Sequence, residues 1–467
     1  MASRELRPWH TGVFISLLLT VFGVISAMNT TPEWVLNDMY SVRLPTWRPW
    51  EDFAQEQEVQ AKAIKDSLRE MAVNDSLIEL GITPPPKARP GVGLIQFAPG
   101  DTLGFIKLAK ALKSLKKGGS LRVLHYGDSQ IEGDRITGEI RDALQRGYGG
   151  EGPGFQPIHP FVPMASVTHT SEGEWERMVS FGRANAKSPS NQYGLRGISH
   201  RYTTEGASIN LTPRYYGYPL ARRSKKFTLY HGPATGPLEV KWFANDTLWK
   251  IDYLESESPG GKIQVQASVP VKSLRLEFKG SSPDFYGISM EGLSGITVDN
   301  IAMRGADGLS FGRMNRSHFI QSLREHKVGL IILQFGGNSV PYFRSHDAVV
   351  RYGEAFQRQI RLFKEALPEA NILIVGPSDM ATKEGIEWVS FPYVDDVRDI
   401  LKKAAFKEGA GFFDVMTYMG GPGSMASWVK ETPALAGPDH IHFTPKGAKK
   451  VAGAIVEGLL KEINRHD

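Results

Sequence analysis

The sequence predicts an α/β protein whose parallel sheet is covered by helices on both faces and interrupted part-way by an inserted β-sandwich of jelly-roll type. Three observations predict it. Short apolar runs at Leu121–Leu124, Val328–Phe335 and Asn371–Val375 read as buried strands. Segments with apolar residues at helical spacing alternate with them, which implies right-handed crossovers and parallel pairing. Between residues 151 and 295 the pattern changes to short alternating or β-branched runs separated by Gly, Pro, Ser and Asn-Asp clusters.

A chain of 467 residues with 41% apolar and 22% charged residues buries a large core and is expected to hold more than one domain. It has no cysteine, which excludes disulfides, thiolate metal sites, a cysteine nucleophile and a lipid-modified N-terminal cysteine. The net charge of +5 is not gathered into a Lys/Arg run, so nucleic acid is not an expected partner.

Residues 1–30 read as a signal anchor. Arg4 and Arg7 precede an apolar run from Gly12 to Met28. As a helix this run spans ~25 Å, near the short limit for a bilayer. The positive flank holds the N-terminus in the cytoplasm and sends the remainder outward. A cleaved signal peptide is the rival, with Ile25-Ser26-Ala27 as its cleavage site, but the length of the run favours an anchor. Residues 31–95 read as a stalk: a charged, helix-prone stretch from Glu51 to Met71, then the stiff PPPKARPG segment. The remainder of the chain is therefore expected outside the cytoplasm, with residues 12–28 as its membrane anchor.

Residues 96–150 begin the α/β domain. Phe105, Leu108, Leu112 and Leu115 mark a helix ending at Gly118-Gly119, and a strand starts at Leu121. Gly127-Asp128-Ser129 breaks that strand, and Ile131, Ile136, Ile140 and Leu144 follow at helical spacing. Ser129 is thus predicted where a strand turns into a helix, beside unpaired N–H groups and the positive end of a dipole. The plainer reading is that Asp128 or Ser129 caps the helix.

The insertion, residues 151–295, shows strand patterns at Ala207–Tyr216, Lys226–Tyr230, Pro237–Phe243, Lys262–Pro270 and Ser273–Phe278. Tyr215, Tyr216, Tyr218, Trp242, Trp249, Tyr253 and Tyr286 are available for stacking on sugar rings, with Trp242 and Trp249 as the leading candidates; core packing is the competing role. Residues 296–467 resume the α/β pattern. Strands are expected at Gly295–Met303, Val328–Phe335, Asn371–Val375 and Gly411–Val415. Helices are expected at Asp347–Leu367, Val394–Lys407 and after Pro445, where Val451, Ile455, Leu459 and Ile463 share a face.

Three strand ends carry chemistry: Gly127-Asp128-Ser129, Gly305, and Gly336-Gly337-Asn338. A fourth piece, Asp439-His440-Ile441-His442, precedes the last helix. Acyl transfer by serine needs a nucleophile, a base, a group orienting the base, and oxyanion donors. Ser129 fits the first role and His442 the second, since imidazole titrates near neutrality. Asp439 fits the third, and the N–H groups of Ser129 and Gly305 with the Asn338 amide fit the last. His440 competes with His442, but the three-residue spacing from Asp439 favours His442. Asn338, Gly305 and Asp439 also have plain readings as turn and cap residues. No further His or acidic cluster has ligand spacing, so neither metal nor cofactor is expected.

In order along the chain, GDSQ, RGADG, GGNS and DHIH resemble the SGNH (GDSL-type) hydrolase superfamily. The likeness spans roughly residues 100–145 and 296–463 and implies a flavodoxin-like α/β/α domain in two parts, 96–150 and 296–467. Gln130 stands where the GDSL motif has leucine. The second block is the loosest, with Gly308 as the alternative to Gly305. The β-rich insertion, flanked by GGEGPGF and FYGISMEG, resembles that of peptidoglycan O-acetylesterases, which carry a carbohydrate-binding-module-like domain there. The resemblance implies an exported serine esterase acting on an O-acetylated envelope glycan, peptidoglycan first. An O-acetyltransferase using the same residues and a non-catalytic glycan-binding assembly protein are the alternatives.

Overall fold

Five parallel strands build the central sheet, each rich in apolar residues and buried on both faces along most of its length. They are β1 (Ser120–Gly127), β2 (Gly295–Ala302), β3 (Val328–Gln334), β4 (Asn371–Val375) and β5 (Gly411–Phe413). A computed structural model describes residues 94–466, except 116–117, 183–185 and 216, together with the backbone of two paired strands, Glu33–Asn37 and Tyr40–Arg43. The chain divides into two units, Met1–Pro86 and Lys87–Asp467. The expected anchor at 12–28, the helix at 51–71 and the PPPKARPG spacer lie outside the described residues. Among the described residues no helix is long and apolar enough to cross a membrane.

The strand order is β2-β1-β3-β4-β5, the doubly wound arrangement in which the order reverses between β1 and β3. A short antiparallel strand, Ile95–Gln96, closes the edge beyond β5. Alternate side chains go to opposite faces. Leu124, Tyr126, Ile331 and Leu333 join one buried cluster with the helices Arg316–Arg324, His346–Ala366 and Val394–Lys407. Leu121, Val123, Leu330 and Ile332 join another with Ile106–Leu115, Thr137–Tyr148 and Pro445–Asn464. The carboxyl ends of β1 and β3 therefore open onto the crevice at the switch point.

One expectation at β1 is corrected. Ser129 does not open the α-helix but a short 3₁₀ turn, Ser129–Asp134, and the α-helix begins at Thr137. Extended Glu132 (ψ 148°) and left-handed Gly133 (φ 68°) break the helical path between the two. The helix dipole therefore does not begin at the serine. Asp128 caps the turn, its Oδ1 accepting from Gln130 N at 2.9 Å.

Between β1's helix and β2 the chain forms two antiparallel sheets. One contains Gly261–Gln266, Lys226–His231, Phe285–Glu291, Ile198–Tyr202 and Trp175–Val179 in that order, with Gly154–Gln156 paired to Phe285–Glu291. The other runs Thr247–Leu254, Leu238–Ala244, Leu274–Gly280, Gly206–Pro213, Val167–Glu172. A third buried cluster draws Phe227, Leu229 and Ile288 from the first and Val240, Leu276 and Ile209 from the second. Phe155, Val179 and Ile198 of the first sheet instead join the parallel sheet's own cluster. The strand patterns read in the sequence agree with the observed strands to within a few residues. The sequence patterns do not show Val167–Glu172, Trp175–Val179 and Thr247–Leu254, which mix polar residues into the strand, nor the buried strands Gly154–Gln156, Ile198–Tyr202 and Phe285–Glu291, which are short or carry Ser, His, Arg and Gly among their apolar residues.

Trp242 is not a sugar-stacking residue. It is 0% exposed and lies in the third cluster, in phase with Leu238 and Val240, while Glu239 and Lys241 face outward. Tyr286 is likewise buried. Trp249 is partly buried, its ring edge-on to Phe227 with centroids 6.0 Å apart.

Candidate active site

Gly127, the last residue of β1, leaves no room for a side chain where the chain passes into the turn. A Cβ there would meet Ile131 at 2.9 Å and the Gln334 carbonyl at 3.1 Å. A buried polar network holds the turn from below. Asn300 Nδ2 donates to Ile131 O and Thr137 Oγ1, each at 2.8 Å, and His125 lies 2.9 Å from Thr137 Oγ1 and 3.1 Å from Gln334 Oε1. Burial pushes the His125 pKa down to about 4, so the ring is neutral and fits a network of uncharged partners.

Above this floor Ser129 Oγ lies 2.8 Å from His442 Nε2, and His442 Nδ1 lies 2.7 Å from Asp439 Oδ2. Ser129 and His442 are 313 positions apart in sequence. Asp439 Oδ1 also accepts from the backbone N–H groups of Ile441 and His442, each at 3.0 Å, which fixes the carboxylate. Partial burial pushes the Asp439 pKa up, but the bonds from His442 and these N–H groups outweigh it, and the net shift is downward. An ionised carboxylate bonded to Nδ1 sets the imidazole with Nε2 facing the hydroxyl, the arrangement a base for Ser129 requires.

The cleft around this trio has a volume of about 290 Å³ and is lined by Ser129, Arg304, Gly305, Asn338, Tyr342 and His442, among others. Gly305 therefore lies on the cleft, with φ 79°. Gly308 does not line it; a Cβ there would meet Phe356 at 2.8 Å and Phe335 at 2.9 Å, so its glycine serves packing. Asn338 Nδ2 donates to Asp128 Oδ2 and to Ala306 O, both at 3.1 Å. Burial pushes the Asp128 pKa up to about 6, offset in part by the Gln130 N–H and by His442.

His440 does not compete for the base position. Its ring lies flat on Trp388 with centroids 3.6 Å apart, and its backbone takes φ 56°. Two residues that join the pieces escaped the sequence reading. Asp128 ties the Asn338 amide to the nucleophile turn. Gln130 Nε2 donates to Ile441 O at 2.7 Å and Oε1 accepts from Phe443 N at 3.4 Å, bracketing His442. The signal for Gln130 was present, since an amide in place of leucine can both donate and accept. Among the described residues, no group of three or more His, Cys, Asp or Glu side chains is placed to hold a metal ion.

Residues 281–450 match the sequence model of the GDSL-like Lipase/Acylhydrolase family. The chain carries an SGNH-type hydrolase domain. The match takes in Gly305, Asn338, Asp439 and His442; β1 and Ser129 precede it and reach the SGNH domain through the fold. Among solved structures, a peptidoglycan O-acetylesterase aligns with TM-score 0.62 and 23% identity over 77% of this chain and 96% of that one, a likeness of fold. A salicylyl-acyltransferase from a tetracycline biosynthetic pathway aligns at 13% identity over 66% of this chain and 97% of its own, with TM-score 0.29. A family two carbohydrate esterase from Cellvibrio japonicus aligns at 8% identity over 64% of this chain and 100% of its own, with TM-score 0.24. Comparison with curated protein sequences finds no match.

Proposed function

We propose that the SGNH domain is an exported serine esterase that removes O-acetyl groups from an envelope polysaccharide, peptidoglycan above all. The observation that carries this reading is the continuous chain Ser129 Oγ, His442 Nε2, His442 Nδ1, Asp439 Oδ2, with links of 2.8 and 2.7 Å opening on a solvent-accessible cleft. In it, Ser129 Oγ attacks the acetyl carbonyl while His442 takes the hydroxyl proton. The N–H groups of Ser129 and Gly305 and the Asn338 amide stabilise the oxyanion. His442 returns the proton to the sugar oxygen as the C–O bond breaks. Water, deprotonated by His442, then releases acetate and frees Ser129.

Peptidoglycan is favoured by the likeness of fold to the solved peptidoglycan O-acetylesterase, which covers 77% of this chain. We read the two antiparallel sheets as a jelly-roll-like sandwich that holds glycan beside the cleft. The apolar run at residues 12–28 favours an envelope location. The test is acetate release from O-acetylated peptidoglycan by wild-type protein and by Ser129→Ala, with and without an added sugar acceptor. Release by the wild type and none above background by a folded Ser129→Ala is expected. Near wild-type turnover by Ser129→Ala removes Ser129 from the chemistry, and acetyl transfer to the added sugar in place of hydrolysis makes the protein an acetyltransferase.

A further inference from the structure

Arg304 stands in the wall of the cleft beside Gly305, and it also lines a second recess, of about 30 Å³, with Glu132, Phe161, Arg177, Arg196 and His200. The two hollows meet at this one side chain. Three guanidinium groups gather around Glu132, whose carboxylate is almost fully buried. Arg304 pairs with it at 3.0 Å, Arg177 is attracted to it, and Arg135, which also faces Asp439, donates to its backbone carbonyl at 2.9 Å. Arg177 and Arg304 thus share a single carboxylate. Burial lowers the pKa of Arg177 and of Arg135, the sign of cations held with too little compensation.

The floor of the recess repeats the imbalance. Arg196 is 4% exposed, and its NH1 group donates to Phe155 O at 3.2 Å and Asn300 O at 3.0 Å. Its buried Nε has no partner among the described residues, and neither has the buried Nε2 of His200. Unpaired polar atoms on a cavity floor are atoms awaiting a ligand group or water. The recess has room for a carboxylate-sized group. At its mouth stands Phe161, 62% exposed, with the guanidinium carbons of Arg304 and Arg177 at 4.8 and 5.6 Å from its ring centroid.

We propose that this recess is a subsite for an acidic glycan, binding a carboxylate substituent through Arg177, Arg304 and Arg196 while Phe161 packs on a sugar face. Guanidinium forks match a carboxylate in geometry as well as charge. The subsite deepens the esterase reading and rests on it, because it gives the acetylated sugar in the cleft an acidic neighbour. The carboxylate can belong to the sugar ring or to a peptide attached to it.

Binding, measured apart from turnover, tests the proposal. Ser129→Ala protein is titrated with acetylated xylan (neutral), acetylated polygalacturonate (ring carboxylate) and soluble O-acetylated peptidoglycan fragments (peptide carboxylate). At low ionic strength at least one acidic polymer is expected to bind about tenfold or more tightly than xylan, the worth of one charge-assisted hydrogen bond. Adding Arg177→Gln removes about tenfold of that preference, and Arg177→Lys removes less. The acidic polymer that responds identifies the carboxylate's source. A preference that Arg177→Gln leaves intact overturns the subsite, as does equal binding of all three polymers. If Arg177→Gln fails to fold, Arg304→Gln at the more exposed wall of the recess takes its place, and a preference for acidic polymer that it leaves intact overturns the proposal. Failure of the esterase reading shows separately, as wild-type protein that binds polymer and releases no acetate.

Discussion

Asn338 carries two duties with one amide. It holds the β1 and β2 turns together through Asp128 and Ala306, and in the proposed reaction it also serves the oxyanion. An oxyanion must therefore displace one of those acceptors, and a charged oxygen out-competes the neutral Ala306 carbonyl. Asn338→Ala is expected to lower kcat about a hundredfold or more with little change in KM, as loss of one oxyanion donor does elsewhere. Steady-state kinetics on a small acetyl ester check this; a raised KM with kcat intact would move Asn338 to substrate recognition. Ser129, Asn338, Asp439 and His442 were legible as candidates because each sits in a short local block of unusual composition. Their meeting was not, since it depends on the crossovers between strands. Trp242 shows the opposite case. Its alternation with Leu238 and Val240 announced a buried face, but an isolated aromatic residue in a strand reads equally well as a ligand contact until that phase is followed.

The loop carrying Asp439 and His442 borrows its rigidity from a small hairpin, Ala381–Glu384 paired with Glu387–Ser390. Ala381 N donates to His440 O at 3.0 Å, and Trp388 covers the His440 ring. His440 thereby keeps a left-handed backbone that only glycine adopts freely. Trp388→Ala removes a stacking contact worth roughly 0.5–1.5 kcal/mol. The expected outcome is a several-fold fall in kcat with a small fall in Tm, and faster amide exchange confined to residues 439–442. Unchanged exchange there would show that the backbone bonds alone hold the loop. The sequence did not disclose this hairpin. Its strands are four residues each, too short for alternation to register.

The antiparallel sheets are bound to the parallel one through buried charge as well as apolar contact. Arg122 on β1 pairs with Asp299 on β2 at 2.6 Å and with Glu291 on the strand Phe285–Glu291. No sequence pattern announces such a cluster, because each member looks like an ordinary surface residue until its neighbours are known. Arg122→Met leaves two buried carboxylates facing each other and is expected to cost about 3–5 kcal/mol. Urea unfolding measures it. Burial pushes the Glu291 pKa up, but Arg122 and Lys226 outweigh it and hold it down at about 2. A carboxyl with a lowered folded pKa stabilises above its ordinary value and loses that contribution as pH falls toward the folded one. Wild-type stability should therefore drop between about pH 4.5 and 2 by on the order of 3 kcal/mol from this group, and Glu291→Gln should flatten that part of the curve. An identical acid slope in both proteins would place the titration elsewhere.

The same pairing imposes a wait during synthesis. Arg122 and Asp299 are 177 positions apart, and β3, the other neighbour of β1, comes later still. At ~5–20 residues per second, β1 stands without a partner on either edge for on the order of ten to thirty seconds. An apolar strand with two open edges is a template for pairing with other chains. Whatever shields this strand during that interval governs the yield of folded enzyme, so mutations that slow or unbalance the antiparallel region should appear first as aggregation of newly made chain.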